Sequence, residues 1–229
     1  MDPKWGSVDA YFEGRLFESD PALEACLRSS EEAGLPSIQV SPTQGRLLYL
    51  IAKLCRARRV LEVGTLGGYS TICLARALPK GGRLITLEIN PRHAEVARAN
   101  LARAGLAEKV EIRLGPALDS LSKLAEERAG PFDVFFLDAD RENNRAYLSW
   151  AARLGRVGSV LIVDNVVRRG EVADDAATDS SVRGVREMID AFAGDPRWTA
   201  TAIQTVGKKG YDGFLLARIE RPTRKRPPV

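Results

Sequence analysis

The sequence predicts an α/β fold, a doubly wound and mostly parallel sheet with helices on both faces. Three observations carry this. Short apolar segments alternate with stretches of helical spacing from about residue 43 onward. The first apolar segment runs into a glycine-rich turn, Gly64-Thr65-Leu66-Gly67-Gly68. Later segments end on polar side chains, at Glu88, Asp138 and Asp164-Asn165. Strand–helix alternation implies parallel strands joined by right-handed crossovers. In such sheets ligands bind at the carboxyl ends of the strands.

Residues 1–40 read as a helical cap segment, weakly patterned over 22–33, that covers the top of the sheet. Residues 59–64 read as a buried strand, followed by 83–89, 109–114, 132–137 and 159–163. Each is short, rich in β-branched or aromatic residues and bounded by turn signals. Helical spacing occupies 69–78, 91–104, 117–128 and 143–154. Asn90 suits the cap of the second of these and Pro91 its first position. His93, the only histidine, falls in that first turn and reads as an exposed or capping residue. Residues 165–181 are polar and acidic, a long loop before a helix at 182–193. Strands at 199–206 and 213–219 flank a turn-rich segment, 207–212, of hairpin type. A C-terminal antiparallel strand on a parallel sheet is a common variation. The main domain spans 41–220, and the basic, Pro-rich residues 221–229 read as a disordered tail.

Bulk properties narrow the function classes. The chain has 229 residues, 45% hydrophobic and 28% charged, as in ordinary soluble domains. No apolar run reaches the roughly 20 residues that span a bilayer, and the opening MDPKWGSVDA has no signal-peptide core. Cys26, Cys55 and Cys73 are far apart and form neither a disulfide framework nor a zinc site. They fit a reducing cytoplasm. The net charge of +4 sits partly in the tail and accompanies no recognition motif, which argues against nucleic acid as a partner.

The turn after the first strand reads Glu62-Val63-Gly64-Thr65-Leu66-Gly67-Gly68-Tyr69-Ser70. This is E-x-G-x-x-x-G rather than the G-x-G-x-x-G of a pyrophosphate-binding loop. A carboxylate in the turn repels phosphate and attracts an ammonium or sulfonium group, which favours a cationic, amino-acid-like cofactor over NAD. The second strand ends at Glu88, where an acid can accept hydrogen bonds from both ribose hydroxyls of an adenosine.

These residues, with Ser41-Pro42-Thr43-Gln44-Gly45, Phe136-Leu137-Asp138-Ala139-Asp140 and Val163-Asp164-Asn165-Val166, resemble a family. The chain is similar to the class I S-adenosylmethionine (SAM)-dependent methyltransferases. More narrowly it resembles the cation-dependent O-methyltransferases of the catechol and caffeoyl-coenzyme A type, over roughly residues 38–219. The resemblance implies a seven-stranded Rossmann-like sheet. It implies that Glu62, Gly64, Gly68, Tyr69 and Ser70 hold the methionine part of SAM, with Val40 near its carboxylate. It places Glu88 on the ribose, and Ile89 and Ala117 by the adenine. Pro116 stands where the family often has Asp, so backbone groups and packing must hold the base there.

Asp138 follows the fourth strand, and Asp164 and Asn165 end the fifth. Neighbouring strands are about 4.8 Å apart, so three oxygen-bearing side chains converge beside the cofactor turn. Hard oxygen donors of this kind suit Mg²⁺, or another divalent cation such as Mn²⁺ or Ca²⁺. The implied reaction is methyl transfer to a hydroxyl of a small aromatic vicinal diol, with Asp138 serving metal, cofactor and chemistry. Catechol-type relatives usually carry Lys three residues after that Asp as the base. This chain has Arg141. A guanidinium cannot take a proton at neutral pH, but it can stabilise an anionic oxygen. Family members are commonly homodimers, and a homodimer is expected. A SAM-binding protein weakened at Arg141 is the alternative reading. A nicotinamide oxidoreductase is disfavoured by the missing glycine fingerprint and hydride site.

Overall fold

The computed structural model describes residues 2–221, so the tail expected over 221–229 lies outside the described residues apart from Arg221. Three helices precede the sheet: α1 (Pro3–Leu16), α2 (Pro21–Glu32) and α3 (Pro42–Leu54). Each begins with proline directly after a capping side chain, Asp2, Asp20 or Ser41, that accepts a backbone N–H of the first turn. Proline is pre-set for this position and lacks the N–H that would go unpaired there. Sequence periodicity missed α1 and α3 as elements. In α1 the cause is physical, because that helix buries none of its side chains and carries no apolar stripe to read.

The sheet holds β1 (Arg59–Val63), β2 (Arg83–Glu88), β3 (Val110–Leu114), β4 (Val134–Leu137), β5 (Val160–Asp164), β6 (Trp198–Gly207) and β7 (Gly210–Ile219). Their order is β3-β2-β1-β4-β5-β7-β6. The first five are parallel, and β7 runs antiparallel between β5 and β6. This is the seven-stranded, Rossmann-like, mostly parallel sheet with an antiparallel C-terminal strand that the sequence predicts. One boundary differs. Most of 207–212 is strand rather than turn, because Gly207 pairs with Gly210 and the hairpin closes over Lys208 and Lys209 alone.

Five further helices pack on the sheet: α4 (Tyr69–Ala77), α5 (Pro91–Arg103), α6 (Ala117–Glu126), α7 (Asn144–Leu154) and α8 (Ser180–Ala193). Successive strand residues feed two separate cores. Val60, Val134, Phe136, Val160 and Ile162 pack with α3 and α4. Leu61, Val63, Phe135, Leu137, Leu161 and Val163 pack with α6, α7 and α8. Burial on both faces explains why these strands read as unbroken apolar runs. Among the described residues no helix is long and apolar enough to cross a membrane.

Strand register decides where the polar residues meet. Val63 pairs with Leu137, and Leu137 with Val163. The next residues, Gly64, Asp138 and Asp164, therefore come level at the carboxyl edge. β1 lies between β2 and β4, at the point where the order of the chain reverses, and a cleft is expected there.

Candidate active site

The turn after β1 is held from two sides. Gly64 has φ +96°, and a Cβ there would stand 2.2 Å from the carbonyl oxygen of Asp138. Only glycine lets these strand ends approach so closely. The Glu88 carboxylate accepts the N–H groups of Thr65 at 3.1 Å and Leu66 at 2.9 Å on one oxygen, and that of Asn90 at 2.8 Å on the other. Glu88 thus fixes the turn and still faces the cleft with capacity to accept further bonds.

Glu62 is placed differently. It is fully buried beneath the turn, where it accepts the Ser70 hydroxyl at 2.6 Å and the Thr71 hydroxyl at 2.5 Å. Burial pushes its carboxyl group up to about 7 against the two hydroxyls, which act to lower it. The folded protein therefore keeps a proton that the unfolded chain, with an ordinary value of 4.5, has released. The Glu62 contribution to stability falls as pH rises from about 4.5 to about 7, because at this group the unfolded state binds fewer protons across that window. Glu62→Gln is expected to remove up to about 3 kcal/mol of that decline. Urea unfolding of both proteins at several pH values between 4.5 and 7.5 checks it, and parallel pH profiles would refute the assignment.

A cavity of about 720 Å³ opens over the turn. It brings together Val40, Gly64, Tyr69, Ser70, Glu88, Ile89, Ala117, Asp138, Arg141, Asp164 and Asn165, all expected from the sequence. Glu62 and Gly68 are not among its lining residues. Gly68 instead caps α4 in a left-handed conformation, φ +88°. Ile89 stands 69% exposed at the cleft, an apolar surface available to a flat ring.

The cavity also contains residues that sequence reasoning did not assign to it. His93 was expected as an exposed or capping residue. It lines the cleft, with Nδ1 3.6 Å from a Glu88 oxygen. The available signal was its place in the first turn after a strand's carboxyl end. Gln44, within Ser41–Gly45, lines the cleft with Asp164 and acts to lower that carboxyl group. Lys209 arrives from the β6–β7 hairpin, more than 40 residues beyond Asp164 in the chain.

Asp138, Asp164 and Asn165 converge as expected. Burial, and then the neighbouring Asp138 charge, pushes Asp164 up to about 7. Burial also raises Asp138, while the Arg141 guanidinium works the other way. Arg141 donates to Asp138 Oδ1 at 3.2 Å and to the Asn165 amide oxygen. Its backbone is backed by α8, where a Cβ on Gly184 would stand 2.2 Å from the Arg141 carbonyl oxygen. Among the described residues no three His, Cys, Asp or Glu side chains group as a metal-ligand set, and the third side chain beside the two carboxylates is the Asn165 amide. Two crowded carboxylates and an amide oxygen, already drawing a guanidinium between them, are donors that fit a hard divalent cation.

A second cavity, about 930 Å³, lies outside the first, between α1 and the β6–β7 hairpin. Gln44, Asp164, Asn165, Arg168 and Lys209 line both cavities and mark where they join.

The sequence pattern of the O-methyltransferase family matches residues 17–219. A catechol O-methyltransferase of Mycobacterium tuberculosis is 52% identical over 219 residues, which is 96% of this chain and 98% of that protein. The crystal structure of an O-methyltransferase from Bacillus cereus in complex with SAH superposes with a TM-score of 0.94 at 50% identity, covering 96% of this chain and all of that one. The O-methyltransferase TomG from Streptomyces achromogenes, involved in tomaymycin synthesis and crystallised with SAM, gives a TM-score of 0.93 at 48% identity, covering 96% and 100%.

Proposed function

The chain belongs to the O-methyltransferase family and uses S-adenosylmethionine; from that premise we propose that it methylates one hydroxyl of a small catechol-like substrate with the help of a divalent cation, Mg²⁺ in the first place. The convergence of Asp138, in the inner cavity, with Asp164 and Asn165, where the two cavities join, carries this reading. A vicinal diol is an acceptor that can offer two oxygens to such a site. The M. tuberculosis relative named for catechol supports the same class.

In this reading Glu88 receives the ribose hydroxyls of SAM, and Ile89 and Ala117 flank its adenine. Tyr69, Ser70, Gly64 and Val40 surround the methionine end. Glu62 acts one layer below, by holding the Ser70 and Thr71 hydroxyls in place. Asp138, Asp164 and Asn165 would hold the cation. A divalent cation bound there lowers the pKa of the acceptor hydroxyl and orients it. A guanidinium has only donors and no accepting lone pair, so Arg141 takes no proton and instead favours the anionic acceptor oxygen. The proton leaves to solvent. Holding donor and acceptor in line accounts for most of the remaining rate, since the protein forms no covalent bond to either.

Incubation with radiolabelled SAM and a panel of catechols, with Mg²⁺ or with EDTA, tests this. Transfer is expected with Mg²⁺, with a fall of at least about 100-fold in EDTA and recovery on adding the metal back. SAM binding by calorimetry without transfer to any catechol would leave a SAM-binding protein weakened at Arg141. Transfer unaffected by EDTA would remove the cation from the reading.

A further inference from the structure

We propose that the outer cavity selects an acidic acceptor, a catechol whose side chain carries a carboxylate, and that Arg168 and Lys209 receive that carboxylate. The proposal rests on the catechol reading above. Both cations line both cavities, beside Asp164 and Asn165, so an acceptor reacting at the oxygen cluster must pass close to them.

Arg168 is held in position. Its backbone is left-handed, φ 53°, and Asp212 pins it by accepting the N–H groups of Val167 and Arg168, each at 3.0 Å. Arg186 braces the same loop by donating to the carbonyls of Val172 at 3.0 Å and Glu171 at 2.9 Å. Yet the Arg168 Nε is buried and has no hydrogen-bond partner among the described residues. A buried donor without an acceptor is costly. A carboxylate would supply two acceptor oxygens in the planar arrangement that a guanidinium matches.

Lys209 is in a comparable state. Its ammonium donates only to a neutral carbonyl, that of Ser37, at 2.8 Å. Burial holds it below the ordinary range of a lysine. Its neighbour Lys208 is instead neutralised by Glu13 at 2.7 and 2.9 Å. The carboxylates around the outer cavity are largely committed elsewhere. Asp9 accepts the Lys208 N–H, and Asp212 holds the loop. Asp179 senses the Arg168 charge but caps α8 through Ser181 and Val182. Glu171 is exposed, as is Arg169. Two partly dehydrated cations beside the reacting position are therefore left without a carboxylate hydrogen-bond partner.

The test compares 3-(3,4-dihydroxyphenyl)propanoate with its methyl ester, whose rings are electronically alike, using the full chain with SAM and Mg²⁺. The acid is expected to exceed the ester in kcat/KM by at least about tenfold, mostly through KM, the size of one charge-assisted hydrogen bond. In Arg168→Gln the acid-to-ester ratio should fall towards one, while Arg168→Lys keeps part of it. Lys209→Gln should lower the ratio independently, which covers the case in which Arg168→Gln fails to fold. A ratio near one in the unmodified protein, with both compounds methylated, overturns the proposal and leaves the catechol reading standing. So does a ratio that survives both glutamine variants. Methylation of neither compound, with SAM still bound, defeats the catechol reading and this proposal together.

Discussion

Asp164→Asn is expected to lower kcat/KM for a catechol by about 10²–10³-fold and to leave the metal-free protein as stable as its parent, or more so. The two effects share one cause. Asp164 is 7% exposed and lies level with Asp138 at the ends of neighbouring strands. Burial and the Asp138 carboxylate both disfavour its charge there and push it up to about 7. Removing it relieves a buried like-charge pair, while the amide can still accept the Asn165 N–H that Asp164 now accepts at 2.9 Å. The same change deprives the proposed cation site of one of its two anions, and a cation of this kind supplies several kcal/mol in the transition state. Kinetics with Mg²⁺ and thermal melts with and without Mg²⁺ measure both. A stabilising effect of Mg²⁺ in the parent should vanish in the variant. A variant that melts well below its parent without metal would show that the pair stabilises the fold in some other way.

Gly64→Ala is expected to cost about 3 kcal/mol or more and to abolish measurable SAM binding. The φ of +96° alone costs roughly 1–2 kcal/mol for a residue with a Cβ. The larger part is steric, since that Cβ would sit 2.2 Å from the Asp138 carbonyl oxygen and 2.9 Å from its carbon, both backbone atoms. Relief requires β1 and β4 to separate at the edge where cofactor turn and acidic cluster meet. For a domain of this length, 3 kcal/mol corresponds to a fall in Tm of about 6–12 °C. Gly105→Ala supplies the control. Its φ is +70° with nothing within 4 Å, so it carries strain without collision. If the two variants melt together, the approach of the strands is not what requires glycine at 64.

The site was readable where one strand end carries its own chemistry. Glu88, Asp138, Asp164 and Asn165 stand at carboxyl ends, and all four face the cleft. Glu62 stands on β1 itself, and its depth could not be read from the chain. Its position in the turn suggested a carboxylate open to a cationic ligand, whereas it is sealed below by Ser70 and Thr71. His93 reads from the chain as an exposed or capping residue, yet in the first turn of α5 its Nδ1 stands 3.6 Å from a Glu88 oxygen. Lys209 carries no local signal at all, because it reaches the cleft through a hairpin paired to β5 from the far side.

Alternating apolar runs, cap-and-proline starts and the glycine turn are local properties, and from them the sequence by itself determined the strand–helix alternation and the sheet, while the cofactor class rested on the family resemblance of its motifs. Register and depth are collective properties, and only the tertiary structure decided them. Pairing Val63 with Leu137, and Leu137 with Val163, brings Gly64, Asp138 and Asp164 abreast. Arg141, which stands in the chain where relatives usually carry a lysine base, donates into the oxygen cluster itself. The folding of the β6–β7 hairpin against α1 then borders the outer cavity and brings Lys209 into the same lining as Arg168. The physical reason is that a side chain's chemistry depends on the charges and solvent around it, and residues distant in the chain supply both.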